Sequence, residues 1–175
     1  ITKNKYFKIS TLVFSFIFAF WLSTSGYDLW LHKLNFGTFL GRIENVKNNK
    51  LLTQNIQGKT LDLNDFKGKY LLLDCWYTRC GICYKAMPKV QKLYDKYKNN
   101  TDIQIYTLHS RMEDEGETYS TGSEILSNEG YIMPSLSIKI NDPILKELGV
   151  QGYPTVLIFD KESKLIFRGN IESAS

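Results

Sequence analysis

The side chains in this sequence best suited to chemistry are two cysteines separated by two residues, Cys80 and Cys83. The apolar run over residues 70–76 predicts a buried strand before them, and apolar residues every three or four positions over 81–98 predict a helix after them. The unpaired N–H groups at the start of that helix favour a thiolate and are expected to lower the pKa of Cys80 from about 8.5 to between about 3.5 and 7.5. Cys80 is therefore predicted to attack a disulfide, and Cys83, one turn inside the helix, to resolve the mixed disulfide that forms.

Two inert uses of the same pair stay open. Cys80 and Cys83 can form a purely structural disulfide or provide half of a zinc site. The other Cys and His residues are Cys75, His32 and His109, and they form no second closely spaced pair, which argues against zinc. Cys75 lies inside the predicted strand and is interpreted as a core residue.

Asp74, Arg79 and His109 are further side chains that could take part in the chemistry. The apolar neighbours of Asp74 leave it little water, and burial raises the pKa of a carboxyl group, so Asp74 is predicted to relay protons. The alternative is an ordinary acid at a strand end. His109 follows the strand predicted at 103–108 and is interpreted as a surface or hydrogen-bonded residue. Arg79 either steers acidic partners and raises the thiolate fraction of Cys80, or is a solvated side chain.

The elements around the motif alternate between strands and helices. Two short runs, at 51–55 and 60–63, predict a small hairpin ahead of a central strand at 70–76. Pro88 is expected to kink the helix that follows the motif. Together these features predict an α/β fold with a mixed sheet flanked by helices. The remaining predicted elements are strands at 103–108 and 135–140, helices at 118–129 and 143–148, and a closing hairpin of 155–159 with 164–167.

The first 26 residues are typical of a membrane anchor or a signal peptide. Three lysines precede the uncharged run 9–22, which as a helix would reach about 21 Å. Extension to Gly26 makes this helix almost as long as a hydrocarbon core of about 30 Å is thick. An uncleaved anchor is favoured over cleavage near Ser23–Ser25, because Trp21, Tyr27 and Trp30 cluster where an interfacial aromatic belt would lie. Either form keeps the lysines in the cytoplasm and places the rest of the chain across the membrane.

Length and composition favour one globular domain. The chain of 175 residues is predicted to divide into the N-terminal segment 1–26, a linker at 27–50 and a domain at 51–175. Hydrophobic residues at 43% and charged residues at 23% exclude intrinsic disorder. The formal net charge is +4, but basic and acidic residues nearly balance beyond the first segment, which excludes nucleic-acid binding.

Over roughly residues 60–170 the sequence resembles the thioredoxin superfamily. Asp74 stands six residues before the first motif cysteine, where that family keeps a buried acid. Trp76 matches the family's aromatic residue and Pro88 its helix kink, while residues 152–155 are similar to its cis-proline loop. The resemblance implies a thioredoxin-like fold.

The same resemblance implies roles for particular residues. Cys80 and Cys83 would be the redox pair, with Asp74 moving protons. Contacts with substrate are implied for Trp76, Tyr153, Pro154 and Thr155, and Arg79 is predicted as a further substrate contact on its charge rather than on the resemblance. Arg79 replaces the tryptophan usual before the motif and Ile82 replaces the proline usual inside it, so the family's reduction potential does not carry over. The residues of this sequence end at Ser175, where the family continues into a final helix, so that helix is expected either to lie beyond them or to be replaced by another cover for the sheet face.

The apolar N-terminal run, the early hairpin and the long stretch between residues 108 and 154 are similar to the membrane-anchored, TlpA-type (ResA-like) thiol-disulfide oxidoreductases. This likeness implies a protein-disulfide reductase on the periplasmic face of a bacterial inner membrane, or in the periplasm if the N-terminal segment is cleaved. Disulfide-containing envelope proteins are the implied substrates. Electrons are expected from a membrane electron-donor protein, because that compartment holds no thiol pool. No metal or organic cofactor is implied, and a monomer is expected.

Two other functions stay open. A copper-handling protein would bind Cu(I) through Cys80 and Cys83, with His109 as a third ligand. A thiol peroxidase matches less well, because peroxiredoxins place a threonine three residues before the reactive cysteine, whereas Thr78 lies two before Cys80.

Overall fold

A computed structural model of the chain describes residues 2–21, 26–36 and 51–174. The strands in this part are β1 (Leu52–Gln54), β2 (Thr60–Asp62), β3 (Tyr70–Trp76), β4 (Ile103–Arg111), β5 (Ser135–Lys139), β6 (Thr155–Phe159) and β7 (Leu165–Gly169). They form one sheet in the order β2-β1-β5-β4-β3-β6-β7. Strands β3, β4 and β5 are parallel to one another, and the other neighbouring pairs are antiparallel. The predicted α/β fold with a mixed sheet is confirmed.

The described helices are α1 (Thr2–Trp21), α2 (Tyr27–Phe36), α3 (Gly81–Tyr97), α4 (Thr121–Asn128), α5 (Pro143–Glu147) and α6 (Ile171–Ala174). Two short 3-10 turns lie at Leu63–Phe66 and Glu113–Glu115. Helix α5 begins where the sequence predicts. The Asp142 side chain accepts a hydrogen bond of 3.0 Å from the Ile144 N–H, and Pro143 fits the first turn because that position needs no N–H donor.

Strand β3 lies inside the sheet, between β4 and β6. Its residues after Tyr70 are all buried, as the continuous apolar run predicts for a strand covered on both faces. Register with β4 sets Asp74 beside Thr107 and Trp76 beside His109. The end of β3 therefore delivers the chain directly to the Cys-x-x-Cys motif at the start of α3.

Helices cover both faces of the sheet. On one face, α3 packs through Cys83, Met87 and Val90, together with residues of α4 and α6. On the other face lie Leu145 of α5 and Phe66 of the first 3-10 turn, both in a second buried cluster. The motif cysteines therefore belong to the α3 side of the domain.

Strand β4 is longer than predicted. The sequence pattern ends this strand at 108, but pairing with β5 continues through His109 and Ser110 to Arg111, which faces Lys139. The added residues carry polar side chains, so the alternation of apolar residues that predicts a strand does not extend to them. Helix α4 also begins at Thr121 rather than 118.

The N-terminal residues include two helices, α1 and α2. Among the described residues, no helix is both long enough and apolar enough to cross a membrane. Helix α2 lies inside the segment predicted as a linker and packs near β7, where a Cβ added to Gly169 would come within 2.8 Å of His32 Nε2. The predicted cleavage residues at 23–25 and the linker residues 37–50 lie outside the described residues.

Candidate active site

Cys80 and Cys83 form a disulfide at the start of α3, with their Cα atoms 5.2 Å apart. Cys80 is the N-cap residue of the helix, and its Sγ accepts a hydrogen bond of 3.2 Å from the Cys83 N–H. Cys80 is 4% exposed and Cys83 is completely buried. Cys80 is thus the more exposed residue of the pair and lies at the helix N-terminus, where a thiolate is stabilised. This position is compatible with the predicted order of attack, which stays a prediction.

The turn that precedes the motif is held from two sides. The Cys80 N–H donates to the Tyr77 carbonyl oxygen at 3.0 Å. The Tyr84 hydroxyl, one residue after the motif, donates to the Thr78 carbonyl oxygen at 3.0 Å. The Thr78 hydroxyl lies 3.0 Å from His109 Nε2 on strand β4. This turn therefore ties Cys80 both to its own helix and to the sheet.

His109 is completely buried behind this turn. Its ring lies 4.8 Å from the Trp76 ring, and a Cβ added to Gly122 would come within 2.5 Å of the His109 Cβ. Burial, against the opposing charge of Glu117 and with a smaller contribution from the charge of Arg111, lowers the pKa of His109 to about 4. The imidazole is therefore neutral near pH 7, and its 3.7 Å approach to the Glu117 carboxylate is a polar contact rather than an ion pair at that pH. Of the two interpretations of His109, the surface residue is wrong, and the hydrogen-bonded residue holds for Nε2 only, since Nδ1 has no hydrogen-bond partner among the described residues.

Thr78→Val is expected to lower the free energy of unfolding by about 1–3 kcal/mol, because His109 Nε2 would lose its hydrogen-bond partner in a buried site. Urea denaturation of the oxidised protein measures the change. Thr60→Val, on the exposed end of β2, is the matched control for the same loss of a hydroxyl. An equal effect in both variants would contradict the role given to this hydrogen bond.

Asp74 is buried on the same face of β3 as Leu72 and Trp76, which pack in one cluster with Cys83. Neither carboxylate oxygen has a hydrogen-bond partner among the described residues. This burial raises the pKa of Asp74 from 3.8 to about 7. Such a group exchanges protons near neutral pH, which meets the condition for the predicted proton relay. The relay itself stays a prediction.

Cys75 lies on the opposite face of β3, since neighbouring strand residues alternate. The thiol is free and completely buried, in the cluster that includes Leu73 and Leu108. Burial raises the pKa of Cys75 well above its ordinary value, and the charge of Asp74 raises it further. The thiol is therefore protonated and unreactive, which confirms its interpretation as a core residue.

The Tyr153–Pro154 peptide bond is cis, as the resemblance implies. The Tyr153 hydroxyl donates to Ser110 Oγ at 2.9 Å, and its ring lies 5.2 Å from that of Tyr77. Burial raises the pKa of Tyr153 to about 12, so this hydroxyl keeps its proton. The Thr155 hydroxyl donates to the Gly152 carbonyl oxygen at 2.7 Å and fixes the other end of the loop.

A cavity of about 610 Å³ runs between the cis-proline loop and the start of α3. Its wall includes Tyr153, Pro154 and Thr155 on one side and Ile82, from inside the motif, on the other. Ile82 is 63% exposed, and Leu34 of α2 adds an exposed apolar side chain at the rim. The predicted substrate residues of the loop therefore share one open surface with the Cys-x-x-Cys motif.

Two of the expected substrate contacts do not lie on this surface. Trp76 is completely buried behind the disulfide, so its implied contact with substrate does not fit its position, because a strand residue on this face points into the core. Arg79 is exposed, but its guanidinium forms an ion pair of 2.7 Å with Glu115. In the described part of the chain, His109 does not join the motif cysteines in a group that could hold a metal ion, so the third ligand considered for Cu(I) does not lie at the pair.

A disulfide at the N-terminus of a helix, a buried acid behind it and a cis-proline beside it define a thioredoxin-fold protein. Solved structures agree: a thiol:disulfide interchange protein from Bacteroides sp. superimposes with a TM-score of 0.61 at 22% identity, covering 77% of this chain and 88% of that one. An exposed lipoprotein thioredoxin from Streptococcus pneumoniae superimposes with a TM-score of 0.57 at 25% identity, covering 70% of this chain and 89% of that one.

Sequence comparison identifies the family. The Redoxin family model matches residues 43–174. Thiol-disulfide oxidoreductase ResA from Bacillus thuringiensis subsp. konkukian is 34% identical over 111 residues, which cover 63% of this chain and 60% of that protein. ResA from Bacillus anthracis is 32% identical over the same length and with the same coverage. The chain belongs to the Redoxin family and is a ResA-like member of the thioredoxin superfamily, and it matches about 60% of the length of these curated relatives.

Proposed function

We propose that this protein is a thiol-disulfide oxidoreductase that reduces disulfide bonds in proteins of the bacterial envelope. The observation that carries the proposal is the position of Cys80, whose Sγ caps α3, while Ile82 of the same motif lines the open cavity together with Pro154. The names of the ResA relatives support the same class of reaction.

In the proposed reaction the Cys80 thiolate attacks one sulfur of a substrate disulfide. A bond forms between that sulfur and Cys80 Sγ, while the substrate disulfide breaks and its other sulfur leaves as a thiolate. Cys83 then loses its proton to the Asp74 carboxylate and attacks Cys80 Sγ, which releases the second substrate thiol. Two electrons pass to the substrate, and the protein ends with the Cys80–Cys83 disulfide.

The cavity beside Pro154 is proposed to hold an extended segment of the substrate. Ile82 and Leu34 would contact apolar side chains next to the substrate cysteine, since both are exposed at the rim. Tyr153 and Thr155 would act mainly by fixing the loop, because their side-chain hydroxyls bond within the protein.

The oxidised protein needs a source of electrons, for which we propose a membrane electron-donor protein, because the envelope lacks a reducing thiol pool. The proposed location is the outer face of the inner membrane, with residues 1–26 as anchor, or the periplasm after cleavage. Exposed Phe14, Phe16 and Phe20 on α1 support contact with a membrane. Fractionation of cells followed by protease treatment of spheroplasts tests this location.

The reduction potential of the Cys80–Cys83 pair tests the direction of the reaction. The proposed reductase requires that equilibration with glutathione buffers give a value closer to the thioredoxin level of about −270 mV than to that of a disulfide oxidant. Cys75→Ser serves as the background, since it removes the third thiol. A value near the level of about −120 mV typical of DsbA would make the protein an oxidant and contradict the proposed reductase.

A further inference from the structure

Helix α3 has all four of its lysines on one face. Lys85, Lys89, Lys92 and Lys96 follow a spacing of four, three and four residues, which aligns them along the helix axis. All four are exposed. The helix has one acidic residue, Asp95, which bonds to the side chains of Lys98 and Gln91 rather than to this face. We call the four residues the lysine stripe.

The lysine stripe is poorly neutralised by the rest of the domain. Lys89 forms an ion pair with Glu172, and Lys96 lies 4.9 Å from the centre of the Tyr97 ring. Lys85 and Lys92 form no ion pair with any described residue. Because like charges at these spacings destabilise a helix, this arrangement does not serve the folding of α3. It leaves a band of positive charge open to a partner.

The lysine stripe begins at the redox site. Lys85 lies two residues after Cys83 and, with Lys89, lines the 610 Å³ cavity that includes Ile82 and Pro154. A second cavity of about 420 Å³ continues along the helix past Lys92 and is lined also by the partly buried or buried apolar side chains of Leu93 and Ile171. Positive charge and apolar contact surface thus run together from the disulfide along α3.

We propose that the lysine stripe is the docking surface for an acidic face of the protein that exchanges disulfides with Cys80. This inference rests on the proposed function and adds the charge of the partner. Opposite charges would attract the partner, orient it along α3 and raise the rate of productive encounter. A protein partner is favoured over a lipid surface because the stripe continues into the cavity beside the redox motif. A protein can present a disulfide there, whereas a lipid surface contains none.

The test measures how fast the reduced full chain reacts with three disulfide peptides that differ only in flanking glutamates, lysines or serines. We expect the acidic peptide to react roughly tenfold faster than the basic one at about 0.01 M salt, where the Debye length is about 30 Å. The preference should largely disappear near 1 M salt, where that length is about 3 Å. The double variant Lys85→Glu/Lys92→Glu should reverse the preference.

The matched control is Lys67→Glu/Lys146→Glu, which makes the same change in charge among elements that cover the opposite face of the sheet. This control should keep the preference for the acidic peptide. Equal rates for all three peptides, or the same reversal in the control, would overturn the proposal. A third outcome would also overturn it: no charge preference among the peptides, combined with binding to phosphatidylglycerol vesicles that is lost in Lys85→Glu/Lys92→Glu. The stripe would then bind anionic lipid rather than an acidic protein. If even the serine peptide fails to react, the proposed function fails, whatever the role of the stripe.

Discussion

Cys83→Ser is expected to stop the reaction after its first step and to trap a mixed disulfide between Cys80 and the substrate. The Cys80 sulfur keeps its hydrogen bond from the backbone N–H of residue 83, which this change leaves in place. A serine hydroxyl does not attack a disulfide, so the mixed disulfide has no route to resolution within the protein. Intact mass measurement after mixing with a disulfide peptide should show the trapped species as the major product.

Cys80→Ser is expected to reduce the rate of disulfide reduction by at least about 10³-fold, since the thiolate is the nucleophile. Cys83 should not take over, because it is completely buried and lies inside the helix. Cys75→Ser is the control for loss of a thiol, and it should react at the rate of the unaltered protein. Efficient trapping of substrate on Cys83 in the Cys80→Ser variant would reverse the assigned order of attack.

Local sequence patterns were sufficient to predict the elements that carry the cysteines. The apolar run at 70–76 identified an inner strand, and the Asp142 cap with Pro143 identified α5. These predictions succeeded because the information lies within a few neighbouring residues. The position of Cys80 between strand and helix followed from the same short-range argument, whereas the roles of the two cysteines in the reaction stay predictions.

Contacts between distant residues were beyond the reach of these patterns. The bond between Thr78 and His109 joins residues 31 positions apart and depends on the extension of β4 through a polar segment. Trp76 is of a residue type that often contacts ligands. The register of β3 in the sheet, however, places its side chain in the core. Likewise, no pattern within a few neighbouring residues predicts that α2 packs beside β7.

The unaltered protein is expected to lose folding stability as pH rises, and Asp74→Asn is expected to remove this loss. The carboxyl group has an ordinary pKa of 3.8 when unfolded and a pKa of about 7 in the folded protein. Between these values the unfolded chain is ionised while the folded protein holds a proton, so the free energy of unfolding falls as pH rises, by about 4 kcal/mol in total. The asparagine variant should therefore gain stability over the unaltered protein from pH 4 to pH 8, measured by urea denaturation. His109 titrates in both proteins, so its contribution cancels in the difference.

The same variant should slow the resolving step by at least about tenfold near pH 7, because buried Cys83 would lose its proton acceptor. Reaction of the reduced protein with dithionitrobenzoate separates the two steps, since the first thionitrobenzoate leaves on attack by Cys80 and the second on attack by Cys83. The rate at which the first thionitrobenzoate is released should change little. The loss of rate in the second release should become smaller as pH rises, because hydroxide can then remove the proton from Cys83. Asp114→Asn, at an exposed position, controls for loss of a carboxylate. If the stability difference appears while the second step keeps its rate, burial alone explains the raised pKa of Asp74, and the proton from Cys83 must leave by another route.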